Sequence, residues 1–223
     1  VRIDPVLLTL PFEGRWQARN SPARRVPSHG TELFGTTYAI DFVPVDDRGR
    51  SAAISWRTLL ATEPAEGFTG FGRTVRAPAR GVVVSVHDGE EDHVARRSPV
   101  AGLPYLLGQR ARAGAGVTAI AGNHVVIALG AAGPYVLLAH LQRGSVRVAA
   151  GQSVSRGDAI GSCGNSGNST QPHVHVQVTD STRWDAAHGL PLAFTDYRVS
   201  GTTRDVPCGV PAEGQIVEPG PRA

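Results

Sequence analysis

At 223 residues, 41% hydrophobic and 18% charged, the chain can build one substantial core but is short for two large ones. A formal charge of +3 is too small to argue for a nucleic-acid binder, although it is compatible with an acidic polymer such as a cell wall. With Gly 27 and Pro 16, short strands and many turns are favoured over long helices, and no apolar run approaches the roughly 20 residues of a membrane span.

All 22 basic side chains are arginine. That reads first as the codon bias of a GC-rich genome and second as a surface suited to gripping anions. Methionine is absent, so the expectation is a removed leader or a trimmed start. Cys163 and Cys208 would close a loop worth about 4 kcal/mol if paired. Reduced thiols are the alternative reading.

In chain order, residues 1–26 read as an N-terminal strand, Val6–Pro11, and a polar lead-in with Arg24 and Arg25. Thr36–Val43 (TTYAIDFV) is β-branched and aromatic and stops at Pro44, which predicts a strand with Asp41 inside it. A buried acid there needs a partner or a metal. A helical turn is expected over Arg57–Ala61, then an entry strand from Thr74 and a buried strand Val82–Val86. Residues 87–116 form a long insert, acidic at first, of the kind that is functional or mobile. Asn123–Leu129 and Tyr135–His140 predict a hairpin, followed by short strands at Val146–Val148, Gly151–Val154 and Ala159–Ile160. No helical period persists beyond about two turns, so the fold class is mainly β: an antiparallel sheet or sandwich with a groove, few short helices and long loops. Residues 27–184 read as the functional domain, and residues 185–223 as an irregular, Pro-rich tail.

Gly161–Val178 (GSCGNSGNSTQPHVHVQV) carries the chemistry. Residues two apart on a strand share a face, so His173 and His175 place two imidazoles side by side. A catalytic zinc site takes three protein ligands and leaves a position for water. Asp41 is the best carboxylate, His29 is the only histidine before it, and His140 ends the apolar strand VLLAH. Asn165, Asn168 and Ser169 form a turn able to hydrogen-bond a peptide. His124 reads as structural or cleft-lining, and His87, His93 and His188 as loop residues.

Four pieces occur in order: SHG at His29, YAIDF around Asp41, LLAHL around His140, and GNSGNSTQPHVHVQV through His173 and His175. With the cassette VRVAAGQSVSRGDAIG between the last two, they resemble the lysostaphin-type (LytM-like) zinc metallo-endopeptidases, which cut peptide bonds in bacterial peptidoglycan. The resemblance implies one zinc held by His29, Asp41 and His175, with His140 and His173 flanking the attacking water. It implies a secreted or cell-envelope monomer acting on a peptidoglycan peptide, with no nucleic acid and no membrane span. One departure is plain: the family motif has three residues between its first histidine and aspartate, whereas eleven lie between His29 and Asp41. A non-catalytic relative serving as regulator or wall-binding module is the other expectation. A lipoyl-type carrier is excluded by the missing lysine.

Overall fold

In the computed structural model, the described residues are 3–54, 58, 60–98, 116–202 and 205–220. The strands are β1 (Val6–Thr9), β2 (Trp16–Arg19), β3 (Ile40–Pro44), β4 (Thr74–Arg76), β5 (Gly81–His87), β6 (Asn123–Ala128), β7 (Tyr135–Leu141), β8 (Ser153–Val154), β9 (Ala159–Ser162), β10 (Val174–Thr179), β11 (Leu192–Val199), β12 (Asp205–Gly209) and β13 (Ile216–Pro219). The main sheet runs β1-β11-β13-β2-β3-β10-β7-β6-β5-β8, with β12 on β11, while β4 and β9 form a separate pair. All ladders are antiparallel except β1 with β11. The expected mainly β class therefore holds.

Period-two alternation sorts the central strands into two faces. Ile40 and Phe42, Val174, Val176 and Val178, Val136 and Leu138, and Val125 and Ile127 all enter one core. The β4–β9 pair closes over that core through Val75 and Ile160, with Cys163 beside them. The opposite face carries Asp41, His175, Gln177, Leu137 and Ala139, and is the floor of a groove. Each strand of this region thus gives one face to packing and the other to chemistry.

Several sequence expectations are corrected. The strand expected over Thr36–Val43 begins only at Ile40, because Leu33–Tyr38 forms a 3₁₀ turn with Phe34 and Gly35 in left-handed conformations. Gly35 is required there: its φ is +76°, and a β-carbon would strike the Thr179 side chain. Val146–Val148 is irregular. Val82 and Val84 are exposed, so β5 buries only one face where a buried strand was expected. The tail is not irregular, since β11, β12 and β13 extend the main sheet. Phe194 of β11 packs edge-on against Phe42 at 5.2 Å, and Phe42 meets Phe12, which stacks on Trp16 at 4.3 Å. This aromatic chain joins both termini to the central strand that bears Asp41. Cys163 and Cys208 are both free thiols. The helical turn expected near Arg57 falls largely on residues outside those described, as does 99–115 of the insert.

Candidate metal centre and groove

Asp41 sits at the middle of a cross-strand row. Its neighbour on β10 is His175, and His175 in turn faces Ala139 of β7. The row puts carboxylate and imidazole on the groove face by register alone. His29 arrives differently. Ser28 donates its backbone N–H to Thr37 O at 2.9 Å and its hydroxyl to Thr36 O at 3.2 Å, so the segment between His29 and Asp41 folds back on itself. The eleven-residue spacing is thereby closed.

The result is a compact cluster. His29 Nε2 lies 3.2 Å from Asp41 Oδ2, and His175 Nδ1 lies 2.9 Å from Asp41 Oδ1. The three potential donor atoms all fall within 4.8 Å of one another. A tetrahedral zinc with bonds near 2.0–2.1 Å needs ligand atoms roughly 3.3 Å apart, so small side-chain adjustments fit the ion. Two imidazoles and one carboxylate are also a chemically suitable set for zinc. Asn20 donates to Asp41 Oδ2 at 2.7 Å, which holds the carboxylate plane. Nothing in the sequence pattern pointed to Asn20.

His140 and His173 complete the polar end of the groove, with ring centroids 4.6 Å apart. His140 Nδ1 donates to Ser166 O at 2.9 Å, and His173 Nδ1 donates to Gln171 O at 2.8 Å. A carbonyl can only accept, so each ring carries its proton on Nδ1 and keeps a basic Nε2. The Nε2 of His173 is 3.6 Å from Asp41 Oδ1. Backbone strain accompanies this arrangement, because His140 has φ 63°, unusual for a residue with a side chain.

Burial sets the electrostatics. Desolvation, reinforced by His173 and His175, holds His140 well below the ordinary histidine pKa. Desolvation also lowers His173. For His175, burial opposes the charge, yet the hydrogen bond and charge of Asp41 prevail and raise its pKa. Burial likewise opposes ionisation of Asp41, but His29 and His173, with the hydrogen bonds from His175 and His29, hold it well below the carboxylate range. The site therefore pairs an anionic acid with two neutral bases.

The groove has a volume of about 700 Å³. Its second half is apolar, formed by Leu137, the helix α1 (Val117–Ala121) and the turn bearing Leu33 and Phe34. Among the turn residues expected at the site, Asn168 lines the groove, whereas Asn165 and Ser169 are fully buried. Ser169 Oγ lies 2.9 Å from His173 Nδ1, and Asn165 Nδ2 donates to His93 O at 2.6 Å. His124 is buried and bonded to Gly122 O, a structural role. The two aspartates at the start of the insert are spent on backbone donors: Asp88 accepts from Gly144 and Val146, and Asp92 from Asn165 and Arg143. Residues 88–97 are thus a strap across the loops behind His140 and His173.

A mainly β protein with a groove and a His-Asp-His cluster at its floor, Asp41 and His175 buried and His29 partly so, is the class this architecture defines. Residues 108–186, the segment that carries His140, His173 and His175, match the family model described as Peptidase family M23. His29 and Asp41 precede the matched residues. Solved structures with some similarity include the catalytic domain of the prophage-encoded M23 protein EnpA from Enterococcus faecalis (18% identity, 69% of this chain and 73% of that one, TM-score 0.37). The catalytic domain of lysostaphin from Staphylococcus simulans is similar at 16% identity, over 72% and 86% of the two chains, with TM-score 0.38. A putative M23 peptidase from Pseudomonas aeruginosa is 20% identical over 79% of this chain but only 49% of its own length, with TM-score 0.38.

Proposed function

We propose that this protein is a zinc-dependent endopeptidase that hydrolyses peptide bonds of bacterial peptidoglycan, in stem-peptide cross-links or glycine-containing bridges. The observation that carries the reading is the convergence of His29, Asp41 and His175 beside two further imidazoles with unspent Nε2 atoms. His29, Asp41 and His175 would hold one zinc. When bound, the ion would bring the pKa of a water towards about 7 and polarise the scissile carbonyl.

The chain's own residues supply the rest. His140 and His173, neutral because they are buried, accept the water's proton and return it to the leaving amine. Their Nδ1–H bonds to Ser166 O and Gln171 O keep the rings from turning away. Besides Asp41 and the histidines, the described groove lining has no charged side chain, which suits an uncharged stretch of peptide. Asn168, on the groove wall, would bind that peptide, with Asn165 and Ser169 supporting the turn. A peptidoglycan substrate places the protein outside the cytoplasm, secreted or in the envelope. Among the described residues no helix is long and apolar enough to cross a membrane.

The experiment is digestion of purified peptidoglycans of different cross-link types, with mass analysis of the fragments. The expected result is new amine termini produced by wild type and lost in His140→Ala, with zinc content retained. Intact substrates with every cross-link type, from protein carrying stoichiometric zinc, would refute it.

A further inference from the structure

Gln177 is 2% exposed, and a buried primary amide needs partners at both ends. Its Nε2 donates to Phe34 O at 2.8 Å. That carbonyl can only accept, which orients the amide: its NH₂ faces Phe34 and its oxygen faces His175 Nε2, also at 2.8 Å. An amide oxygen opposite a ring nitrogen requires the proton to be on that nitrogen. Nδ1, 2.9 Å from Asp41 Oδ1, is then the ring nitrogen whose lone pair a cation can take, on displacing the proton it shares with that carboxylate.

We propose that Gln177 is a positioning residue that fixes His175 with its proton on Nε2 and so presents Nδ1 to a divalent cation shared with His29 and Asp41. The cation part rests on the zinc reading above; the ring orientation does not. Without the amide, His175 has a competing arrangement in which Nδ1–H donates to Asp41 and Nε2 is bare, and that tautomer cannot offer Nδ1 to a metal. The relay starts far away in sequence, since Phe34 and Gln177 are 143 residues apart. Phe34 has φ 57° and ψ 20°, so its carbonyl direction is set by a left-handed turn that also lines the groove. Gln177 is therefore the point where groove wall and candidate ligand are mechanically joined.

The test uses the full chain, first metal-free and then titrated with zinc alone against a competing chelator. Nitrogen NMR of the His175 ring in metal-free wild type should show a protonated Nε2 that exchanges slowly. Gln177→Leu should lose that signal and weaken zinc binding by about 10–100-fold. A wild-type ring with bare Nε2 overturns the proposal with no variant needed. So does Gln177→Leu with an unchanged ring signal and unchanged zinc affinity. If wild type shows the expected ring signal but binds no zinc, the zinc reading fails and the orientation of His175 by Gln177 stands.

Discussion

Gly122→Ala is the sharpest test of how the site is built. Gly122 ends helix α1 with φ 60° and ψ −141°, a region open essentially to glycine alone. A β-carbon there would lie 2.5 Å from Ser166 Oγ and 2.6 Å from Gly167 N, so backbone as well as side chain must move. The conformational cost is about 1–3 kcal/mol, and overpacking adds about 1–3 kcal/mol. The expected loss is therefore roughly 3 kcal/mol or more, which for a chain of this size is a Tm drop of about 6–12 °C. The functional part follows from what Ser166 does. Its carbonyl accepts the hydrogen bond from His140 Nδ1–H, and its hydroxyl bridges Asn123 N and Leu141 O. Displacing it turns His140, so turnover should fall at temperatures where the variant is still folded. Urea titration and peptidase kinetics on the same preparation provide both readouts. A variant within 0.5 kcal/mol of wild type, with unchanged turnover, would refute the packing argument.

Other outcomes follow from the same structure. As the proposed bases, His140 and His173 would act only when neutral, and burial depresses both pKa values, so the acidic limb of kcat/KM should lie below about pH 6.5. The unfolded chain takes up those protons first, so stability should also fall as pH drops below that value; an acid limb above it counts against both histidines. Asp92→Ala strands the backbone N–H groups of Asn165 and Arg143, and should cost about 1–3 kcal/mol by denaturant titration. The pKa of Asp92 is raised because burial outweighs those two bonds, which places the loss towards the lower end. An activity loss in that variant with zinc content preserved would fit a strap behind the bases. Cys163 is buried with its thiol pushed upward by desolvation, whereas Cys208 is exposed. A thiol reagent should thus label one cysteine in native protein and two after denaturation, and two labels in the native state would contradict the packing of β9.

The central strands were legible because their chemistry follows register. Period two separates Ile40 and Phe42 from Asp41, and Val174 and Val176 from His175, and both splits are visible in YAIDF and HVHVQV. The same count reaches Gln177, two residues past His175, so its place on the groove face was readable even though its partner was not. Phe34 could not be found this way, since the bond depends on a left-handed turn closing over 143 residues. The tail was misread for a local reason. Asp196 has φ 54° and breaks the alternation of β11 between Phe194 and Tyr197, and Pro207 and Pro219 sit inside or at the end of short strands. Those strands are held by neighbours in the sheet and by Phe194 against Phe42, which is information from distant parts of the chain. The length of the His29 loop likewise says nothing about where it closes until Ser28 meets Thr36 and Thr37.

The backbone strain is placed with some economy. Four described residues other than glycine have positive φ: Asn20, Phe34, His140 and Asp196. Three of them line the groove, and each governs a contact at the site. Asn20 holds the Asp41 carboxylate, Phe34 orients Gln177 and through it His175, and His140 is itself a proposed base. Such conformations cost about 1–3 kcal/mol each and persist only where surrounding structure dictates them. Here that structure is the row Arg19, Asp41, His175 and Ala139 across four strands, with the aromatic packing of Phe12, Trp16, Phe42 and Phe194 on the far face. The two termini, which looked peripheral, are thus what lets the centre remain strained. Loosening β2 or β11 should relax Asn20, and with it the hold on the Asp41 carboxylate, before it unfolds the chain.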